Sequence, residues 1–389
     1  MTSEADTRDG EKAHLAAEAA REFPTEAEGQ YPLPPSTIPA QMYTDPEGFD
    51  REMQRIFYRS WFPACPSVDL PNPRDYVVWD KLRQSLVIAR QDDGSLAAWH
   101  NACQHRGARV VRESGSCKAG RFACPWHGFQ YDLSGKVRFT PLRGSFEAAR
   151  LQDLRAPAVR VREWSGFVWI CFADEVPELE RYLGIIWDEL SFYGLERFKV
   201  KYRFQLKLTA NWKVVVDAFN ETWHVPFTHA STLGHMIQWR DARLKIDSPH
   251  SWMTLPVKGF SDRMGAAVDH RLSHLCHYLA FPNTFFSCFP THLQTWNIWP
   301  ISLGETECTA WGVVGPAPAG VTEEQWQKQN DRDWNHFCAV SAEDARVLNE
   351  WGSVSHSLGA RTYMFNTAEG RLTAFHEEIA RRTCTGEKA

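Results

Sequence analysis

The chain has 389 residues, 43% of them hydrophobic, and a formal net charge of −5 at pH 7. Domains of about 100–200 residues are the norm, so this length indicates two domains. The negative charge argues against nucleic acid as a partner, and no run of about 18–20 apolar residues indicates a membrane span. Residues 1–30 are rich in Glu, Ala, Asp and Arg without the apolar run of a signal peptide, which predicts a solvated helical leader and a cytoplasmic protein.

The first half of the chain changes from helical to strand-like patterns. Residues 32–39 carry four prolines and predict an extended connector, and residues 45–61 have apolar side chains at helical spacing. From residue 62 to 172, short β-like runs alternate with turn signals such as Asp92-Asp93-Gly94 and Ser134-Gly135. This segment is therefore predicted to be a small all-β domain.

The remainder of the chain has a mixed pattern. Tyr202–Leu208 alternates as a strand, a strong helix follows from Asn211, and aromatic strands occupy residues 287–314. Capping-box spacing at 322–325 and again at 341–344 predicts two late helix starts. An α+β domain is expected to follow the β domain.

Two of the ten cysteines stand out because each has a nearby histidine. Cys103-x-His105 and Cys124-x-x-His127 lie 18 residues apart. Thiolate and imidazole ligands suit both iron–sulfur clusters and zinc. The alternatives are a structural Cys₂His₂ zinc site, or coincidence among 15 histidines and 10 cysteines. A zinc finger usually groups Cys with Cys and His with His, whereas each loop here offers one of each.

The other cysteines suggest no disulfide framework, since no secretion signal accompanies them. Several stand singly among apolar residues and are interpreted as small buried hydrophobic side chains; these are Cys171, Cys276, Cys288, Cys308 and Cys338.

A second polar constellation lies in NWKVVVDAFNETWHVPFTHAS. Helical spacing predicts Asp217, Glu221 and His224 on one face, and Pro226 should end the helix near His224 and bring His229 round to meet it. Two histidines and one carboxylate on one face of a metal form the facial triad of non-haem Fe(II) oxygenases. The alternative is an amphipathic helix with a solvated acidic face and two unremarkable histidines.

Both constellations resemble motifs of one family. CQHRG followed by CPWHGFQYDLSGKV is similar to the Rieske [2Fe–2S] motif. The resemblance implies that Cys103 and Cys124 hold one iron of the cluster, and that His105 and His127 hold the other. Replacing two thiolates by imidazoles raises the reduction potential to about −150 to +300 mV, from about −400 mV in all-thiolate plant-type clusters.

The segment NWK…E-x-x-H-x₄-H resembles the mononuclear-iron motif of Rieske oxygenases. The resemblance implies that His224 and His229 bind the iron. It also implies that Glu221 is the carboxylate bridging an iron-bound histidine to a cluster histidine. Many members have Asp at this position, and the longer Glu is typical of a subset that includes enzymes acting on amines. The third iron ligand implied is Asp344 in SAEDARVLNEW, and its acidic alternatives are Glu343, Glu350, Asp331 and Asp333.

The resemblance to Rieske ring-hydroxylating oxygenase alpha subunits implies a fold for nearly the whole chain. An N-terminal leader (1–44) would precede an all-β Rieske domain with its leading helix (45–172). A helix-grip (Bet v 1-like, START-like) α+β catalytic domain with a central antiparallel sheet would follow (173–389).

The implied activity is that of an EC 1.14-type oxidoreductase, the terminal mono- or dioxygenase of a multicomponent system. It would carry one Rieske cluster and one non-haem Fe(II) per subunit. Electrons would come from NAD(P)H through a separate reductase or ferredoxin, because the chain has no glycine-rich dinucleotide fingerprint. The family also implies a head-to-tail homotrimer, with a β subunit possible, in which Glu221 joins His224 to His127 of the adjacent chain.

The substrate is expected to be an aromatic or other cyclic apolar compound, as in the catabolism of aromatic hydrocarbons. The alternative is a monooxygenase that removes N- or O-alkyl groups or hydroxylates an amine or steroid-like compound. A non-enzymatic electron carrier is a distant third, since a carrier needs neither His224 and His229 nor another 200 residues or so.

Residues 235–299 are expected to line much of the substrate pocket. Arg240, Arg243 and Lys245 are candidates to pair with a substrate carboxylate, although a solvated surface is the favoured interpretation. The segment is dense in aromatic side chains, which favour a flat or apolar substrate; they are Trp239, Trp252, Phe260, Tyr278, Phe281, Phe285, Phe286, Phe289, Trp296 and Trp299.

Overall fold

The computed structural model describes residues 32–259, 269–289 and 292–384. The chain divides into a continuous unit, Met53–Lys199, and a discontinuous unit made of Met1–Glu52 and Val200–Ala389. The predicted helical leader at residues 1–30 lies outside the described residues. No helix in the described ranges has both the length and the apolar character needed to cross a bilayer.

The described chain opens with strand β1 (Ser36–Pro39) and helix α1 (Pro46–Arg55). The predicted helix over 45–61 is thus shorter than expected. A single 3-10 turn follows it, and the next strand begins at Trp61. This strand contains Pro63 and is buried along its whole length. A helix that begins at α1 therefore cannot continue into this segment.

The continuous unit is an all-β framework with short helical connections. One antiparallel sheet has the strand order β2-β11-β10-β5-β4-β3-β6, and a second, smaller one has the order β7-β8-β9. The elements in chain order are β2 (Trp61–Pro66), β3 (Asp75–Lys81), β4 (Gln84–Arg90), β5 (Leu96–His100), β6 (Gly115–Ser116), β7 (Arg121–Ala123), β8 (Gln130–Asp132), β9 (Val137–Phe139), α2 (Ala148–Leu151), β10 (Ala158–Trp164), β11 (Phe167–Cys171), α3 (Leu179–Leu183) and α4 (Ile185–Ser191).

The predicted turn at Ser134-Gly135 lies between β8 and β9. Gly135 has φ +78°, and a Cβ atom there would lie 2.7 Å from Cγ of Trp99. Trp99 is fully buried and stacks on Tyr131, so the turn fits closely against the core of this unit. Both the left-handed backbone and the close approach require glycine.

The discontinuous unit is an α+β structure around a seven-stranded antiparallel sheet, as expected. The strand order is β12-β18-β17-β16-β15-β14-β13, and β1 pairs separately with the last strand, β19. Its further elements in chain order are β12 (Lys199–Leu208), α5 (Trp212–Phe219), α6 (Val225–Thr228), β13 (Arg243–Asp247), β14 (His250–Pro256), β15 (His274–Ala280), β16 (Thr284–Cys288), β17 (Leu293–Ser302), β18 (Glu305–Val314), α7 (Glu323–Val354), β19 (Thr362–Phe365) and α8 (Gly370–Thr383).

Helix α7 is one continuous helix of 32 residues. The predicted capping box at its start is confirmed, since Thr322 and Gln325 satisfy each other's backbone N–H groups. The second predicted start, at 341–344, is wrong. Ser341 lies within the helix and donates its hydroxyl proton to the carbonyl oxygen of Phe337, a bond that a mid-helix serine can make without interrupting the helix.

Helix α5 begins at the predicted cap, where the Asn211 side chain accepts the N–H of Lys213. It ends at Phe219, earlier than predicted, so Glu221 and His224 do not share a helical face with Asp217. The predicted orientation of Asp217 is therefore wrong. Its buried carboxylate accepts the hydroxyl of Tyr43 at 2.6 Å and contacts Nε2 of His376 at 2.9 Å.

A buried ion pair is one of the contacts that join residues 32–52 to the late part of the chain. Nζ of Lys213 lies 2.7 Å from Oε1 of Glu52, and the indole N–H of Trp212 donates to the other oxygen of the same carboxylate. Helix α1 is thereby fixed to α5, just as β1 is fixed to β19. The contacts divide the chain at different points from the expected ranges 1–44, 45–172 and 173–389, which stay a prediction of domain limits.

Candidate functional site: two iron-binding constellations

The Cys/His loops of the continuous unit bring their four side chains together. The thiols of Cys103 and Cys124 lie close enough to interact, and Nδ1 of His105 lies 3.2 Å from Nδ1 of His127. The two cysteines are buried, whereas the histidines lie nearer the surface. The hydroxyl of Tyr131 donates to Sγ of Cys103 at 3.2 Å. Hydrogen bonds to the ligating sulfurs are one of the factors that set the reduction potential of an iron–sulfur cluster.

The two loops have the same backbone plan. The amide of Gly107 donates to the carbonyl oxygen of Cys103, and that of Gly128 donates to the carbonyl oxygen of Cys124. Both glycines have positive φ, +74° and +73°, which turns each loop back sharply. Two sulfurs on the buried side and two Nδ1 atoms on the exposed side match the donor set of a Rieske [2Fe–2S] cluster.

The predicted mononuclear site lies within the discontinuous unit. His224, His229 and Asp344 each offer a ligand atom, and these atoms lie within 4.8 Å of one another. Oδ1 of Asp344 is 3.0 Å from Nε2 of His229 and 3.9 Å from Nε2 of His224. The donor set of two imidazoles and one carboxylate fits a non-haem Fe(II) ion with open positions.

Two further carboxylates hold the outer nitrogens of these histidines. Nδ1 of His224 forms a short hydrogen bond with Oε1 of Glu221, and Nδ1 of His229 lies 2.8 Å from Oε2 of Glu343. Oε2 of Glu343 also accepts the hydroxyl of Thr232 at 2.7 Å. Carboxylates in this position fix the tautomer and the ring orientation, so that both Nε2 atoms face the same point.

Glu221 has a second structural task, because its Oε2 accepts the backbone N–H groups of Trp223 and His224. This local capping is the reason that α5 stops before His224. The short helix α6, with Pro226 in its first turn, then carries the chain to His229. The predicted meeting of the two histidines is found, but a side-chain cap produces it as much as the proline does.

The electrostatics favour a cation between these side chains. Burial lowers the pKa of His224, but the charge and hydrogen bond of Glu221 and the charge of Asp344 outweigh it and raise the pKa to about 9. The excess negative charge of the acidic groups is what a divalent cation would neutralise.

A cavity of about 290 Å³ opens beside the three ligand atoms. Of the aromatic residues predicted to line it, Phe289 and Trp296 do so, while Phe260 lies outside the described residues. The prediction is wrong for the other named aromatic residues, which do not line this cavity. Strand periodicity alone does not separate the cavity face from the core. Trp239 is only partly buried, and the other six lie in the core: Trp252, Tyr278, Phe281, Phe285, Phe286 and Trp299.

Several cavity residues were not singled out by the sequence. Phe219 at the end of α5 and Phe337 on α7 supply aromatic surface, and His277, His292 and His336 supply polar atoms. Helical spacing from Asp344 would have pointed to Phe337, which lies seven residues earlier on the same face. The histidines carry no motif that would have distinguished them.

The alternative third ligands take other places. Glu343 holds His229, Asp331 accepts the hydroxyl of Tyr202 at 2.6 Å, and Glu350 is exposed. Asp333 lines the cavity away from the three ligand atoms. Arg240, Arg243 and Lys245 do not line the cavity.

Comparison with protein-family models gives two matches that together cover both constellations. The Rieske [2Fe-2S] domain matches residues 60–155, and the ring hydroxylating alpha subunit (catalytic domain) matches residues 195–385. The chain belongs to the Rieske oxygenase alpha-subunit family. A Rieske oxygenase of this family contains a [2Fe–2S] cluster and a mononuclear iron and receives its electrons from a reductase.

Among curated relatives, the glycine betaine monooxygenase oxygenase subunit of Pseudomonas aeruginosa is 24% identical over 346 residues, 76% of this chain and 80% of the relative. The large oxygenase component of the naphthalene 1,2-dioxygenase system of the same species is 32% identical over 205 residues, 49% of this chain and 44% of the relative.

Among solved structures, a quaternary ammonium Rieske monooxygenase has the same fold. That enzyme oxidises carnitine and transfers electrons between subunits. The TM-score is 0.75 at 20% identity, over 90% of this chain and 95% of that one. As a member of the family that the two models define, the chain is the terminal component of its system and an oxidoreductase.

Proposed function

We propose that this Rieske oxygenase is a monooxygenase whose substrate is an amine, and that it removes an N-alkyl group or hydroxylates a carbon of the amine. The observation that carries the proposal is the charge of the cavity wall. Glu221 and Asp344 line it at the iron site, where the iron would neutralise their charge; Asp333 lines it away from the iron ligands, and among the described residues neither lysine nor arginine lines the cavity to balance Asp333. A cationic substrate is the natural complement of such a wall.

Two cavity histidines that are not iron ligands, His277 and His292, do not offset the charge of Asp333. Burial, together with the charge of Arg371, lowers the pKa of His277 to about 3, and burial with the charge of His336 lowers the pKa of His292 to about 4. Both imidazoles are therefore neutral near pH 7. The aromatic faces of Phe289 and Trp296 add surfaces on which an ammonium group binds by cation–π attraction.

The relatives support this choice over the aromatic substrate expected first. The most extensive curated match reported above is to a subunit acting on glycine betaine, and the matching structure is of an enzyme acting on quaternary ammonium compounds. Glu at position 221, in place of the usual Asp, agrees with them. Ring hydroxylation is the second candidate, favoured by the naphthalene dioxygenase relative and by apolar wall residues such as Leu255 and Leu275.

The iron centres, when bound, supply one-electron transfer and O₂ activation. Cys103, Cys124, His105 and His127 hold the cluster, and His224, His229 and Asp344 hold the single iron. Glu221 and Glu343 keep each imidazole in the tautomer whose Nε2 lone pair faces the metal. The apolar part of the cavity wall limits water around the reacting carbon.

Glu221 also serves as the bridge for electrons between neighbouring protomers. In a head-to-tail ring, one of its oxygens contacts His224 while the carboxylate reaches the exposed His127 of the next chain. Such heterologous contacts close naturally as a trimer. A ferredoxin or flavin reductase delivers the electrons to the cluster from NAD(P)H.

Oxidative N-demethylation has a fixed stoichiometry that an assay can measure. One N-methyl oxidation uses O₂, two electrons and two protons; one oxygen atom enters the C–H bond and the other leaves as water. Cleavage of the C–N bond then releases formaldehyde and the demethylated amine. We expect N-methylated amines, with a surrogate reductase, to stimulate NADH and O₂ consumption and to release formaldehyde in equal amounts.

Uncharged aromatic hydrocarbons of similar size are the matched controls for this assay and should stimulate consumption less. Efficient conversion of the hydrocarbons to ring diols, with no formaldehyde from any amine, would replace the amine proposal by the second candidate.

A further inference from the structure

One face of α7 runs along the cavity from the iron ligands to the opposite end. Asp344 and Asp333 both line the cavity, and His336, Phe337 and Val340 lie between them on the same face. Eleven residues separate the two acids, which corresponds to about 16 Å along a helix axis. The cavity thus has an acid at the iron and a second acid remote from it.

The remote acid has an oxygen with no hydrogen-bond partner. Oδ1 of Asp333 accepts the amide N–H of Gln329 at 2.7 Å, but the buried Oδ2 accepts no hydrogen bond. Nδ1 of His292 lies 3.5 Å from this oxygen, beyond a normal N–H···O bond. Nε2 of His336 is likewise buried without a partner. Unpartnered buried groups are costly, and two of them side by side in a cavity suggest a ligand that satisfies both.

Among the described residues, no lysine or arginine that lines the cavity neutralises Asp333. The neighbouring Arg332 donates to the side-chain oxygen of Gln329 at 2.6 Å and does not line the cavity. Gln294 and His292 bond to each other at 3.0 Å. The remote end therefore offers an anionic acceptor beside neutral polar groups.

We propose that Asp333 and His336 bind an N–H-donating ammonium group of the substrate at the end of the cavity remote from the iron. This inference rests on the proposed amine monooxygenase function and names its substrate more closely. The ammonium donates to Oδ2 of Asp333, and the alkyl group to be oxidised extends along α7 towards Asp344. The substrate is then a diamine or a longer amine with a terminal cation.

The same geometry rejects a terminal carboxylate. Glycine betaine and carnitine each carry a carboxylate at the end opposite the trimethylammonium group. That carboxylate would lie against the like charge of Asp333, and the part of the cavity wall that the structure describes offers it no lysine or arginine. The specificity of this chain is therefore expected to differ from that of the relatives named for those two compounds.

The test uses three probes that share a trimethylammonium head and a six-carbon chain. The chain ends in a primary ammonium, a methyl or a carboxylate group. We expect the iron-loaded enzyme to bind the ammonium-ended probe at least about 10-fold more tightly than the carboxylate-ended one, with the methyl-ended probe between them. Quenching of tryptophan fluorescence measures each Kd, and released formaldehyde measures turnover.

Asp333→Asn keeps the acceptor for Gln329 and removes the charge, so the ammonium preference should fall to about two-fold or less. Asp333→Lys should reverse the preference. Asp331→Asn is the matched control, because it changes the same residue type two positions away on α7 without touching the cavity; its preference should equal that of the unmodified enzyme.

Three results would overturn the inference: an unchanged preference in Asp333→Asn, a carboxylate preference in the unmodified enzyme, or no binding of any probe. Preferential binding of the ammonium-ended probe that depends on Asp333 but yields no formaldehyde would instead overturn the amine monooxygenase proposal and leave the binding site in place.

Discussion

The histidines of the mononuclear site depend on residues beyond the metal ligands. His224 and His229 present Nε2 to Asp344 because Glu221 and Glu343 occupy their Nδ1 atoms. Each imidazole is thereby fixed in orientation before a metal binds. Since an imidazole can rotate and change tautomer, losing such a partner weakens the site without removing a ligand.

Replacing Glu343 by Gln should therefore lower iron affinity at the mononuclear site about 10–100-fold. The amide can still contact Nδ1 of His229, but it lacks the negative charge that raises the basicity of the ring. Competition with a coloured Fe(II) chelator measures the effect. Glu350→Gln on the exposed side of α7 is the control, and equal iron affinity in the two variants would contradict the role given to Glu343.

Replacing Glu221 by Gln tests the electron bridge. With the mononuclear site saturated by added Fe(II), turnover should still fall by roughly 10–100-fold or more, while the visible spectrum of the cluster stays that of the unmodified protein. Glu221→Asp should recover part of the activity because it restores the charge at a shorter reach. Undiminished turnover in the Gln variant would exclude the bridge.

His277 gives a pH-dependent contribution to stability. Its folded-state pKa of about 3 lies below the usual value near 6.5, because burial and the charge of Arg371 disfavour the proton. Between these values the unfolded chain binds a proton that the folded chain does not, so the free energy of unfolding rises with pH. The contribution of His277 to stability is therefore lost as the pH falls from about 6.5 to about 3.

The expected slope from this group is up to about 1.4 kcal/mol per pH unit between about pH 4 and 6. His277→Gln should remove that part of the slope in urea unfolding curves, whereas His356→Gln, at an exposed position, should leave it unchanged. Equal slopes for the two variants would show that His277 does not titrate as described.

At the scale of elements, hydrogen bonds from side chains to the backbone set helix limits that the periodicity of apolar residues does not predict. The alternating pattern of β12 and the Asn211 cap of α5 were predictable from the sequence. The end of α5 was not, because Glu221 competes for backbone N–H groups that a helix would otherwise use. The false helix start at Ser341 has a similar origin, since Ser-x-x-Asp spacing also occurs where the hydroxyl bonds back to the preceding turn.

The link between α1 and α5 is an ion pair with almost no exposure, 0% for Lys213 and 4% for Glu52. Lys213→Met should destabilise the fold by about 3–5 kcal/mol, since it leaves a buried carboxylate without its partner. Adding Glu52→Gln removes that charge and should recover much of the loss, because the amide oxygen still accepts the indole N–H of Trp212.

Lys328→Met is the matched control for the ion pair. Lys328 pairs with Glu324 one turn away on the surface of α7, with both side chains largely exposed; the loss should be about 0.3–0.5 kcal/mol. Chemical denaturation of the three variants and the unmodified protein gives the comparison. A similar cost for both lysines would mean that the buried pair adds little.

For the whole molecule, the fold class and the grouping of most of the candidate ligand residues could be predicted because short motifs carry them. Four cluster ligands fall within 25 residues, and three residues of the second site fall within nine. Asp344 could be placed only through the family resemblance, since it is 115 residues beyond His229 in the sequence. The residues that line the cavity could not be predicted, because they depend on which face of the sheet each side chain occupies.

The trimer proposal predicts complementation between inactive chains. A cluster-deficient variant, Cys103→Ser, and an iron-deficient variant, His224→Ala, should each be inactive alone. Random co-assembly of equal amounts should restore about a quarter of the full activity, because about three-quarters of all rings are mixed and each mixed ring contains one productive neighbour pair out of three.

Co-assembly without any recovered activity would place electron transfer within a single chain. Chains expressed separately and mixed after assembly are the control for this experiment, because established rings do not exchange subunits on the time scale of the assay if the trimer is stable.

The pairing of β1 with β19 joins segments made at opposite ends of synthesis, since Ser36 is aligned with Phe365. The cluster-bearing unit, a single uninterrupted stretch, is complete on the ribosome while β1 still awaits its partner. At about 5–20 residues per second, that wait lasts roughly 20–60 s. Nascent chains therefore expose an unpaired strand edge for this interval, which makes the discontinuous unit the part that a chaperone would have to protect.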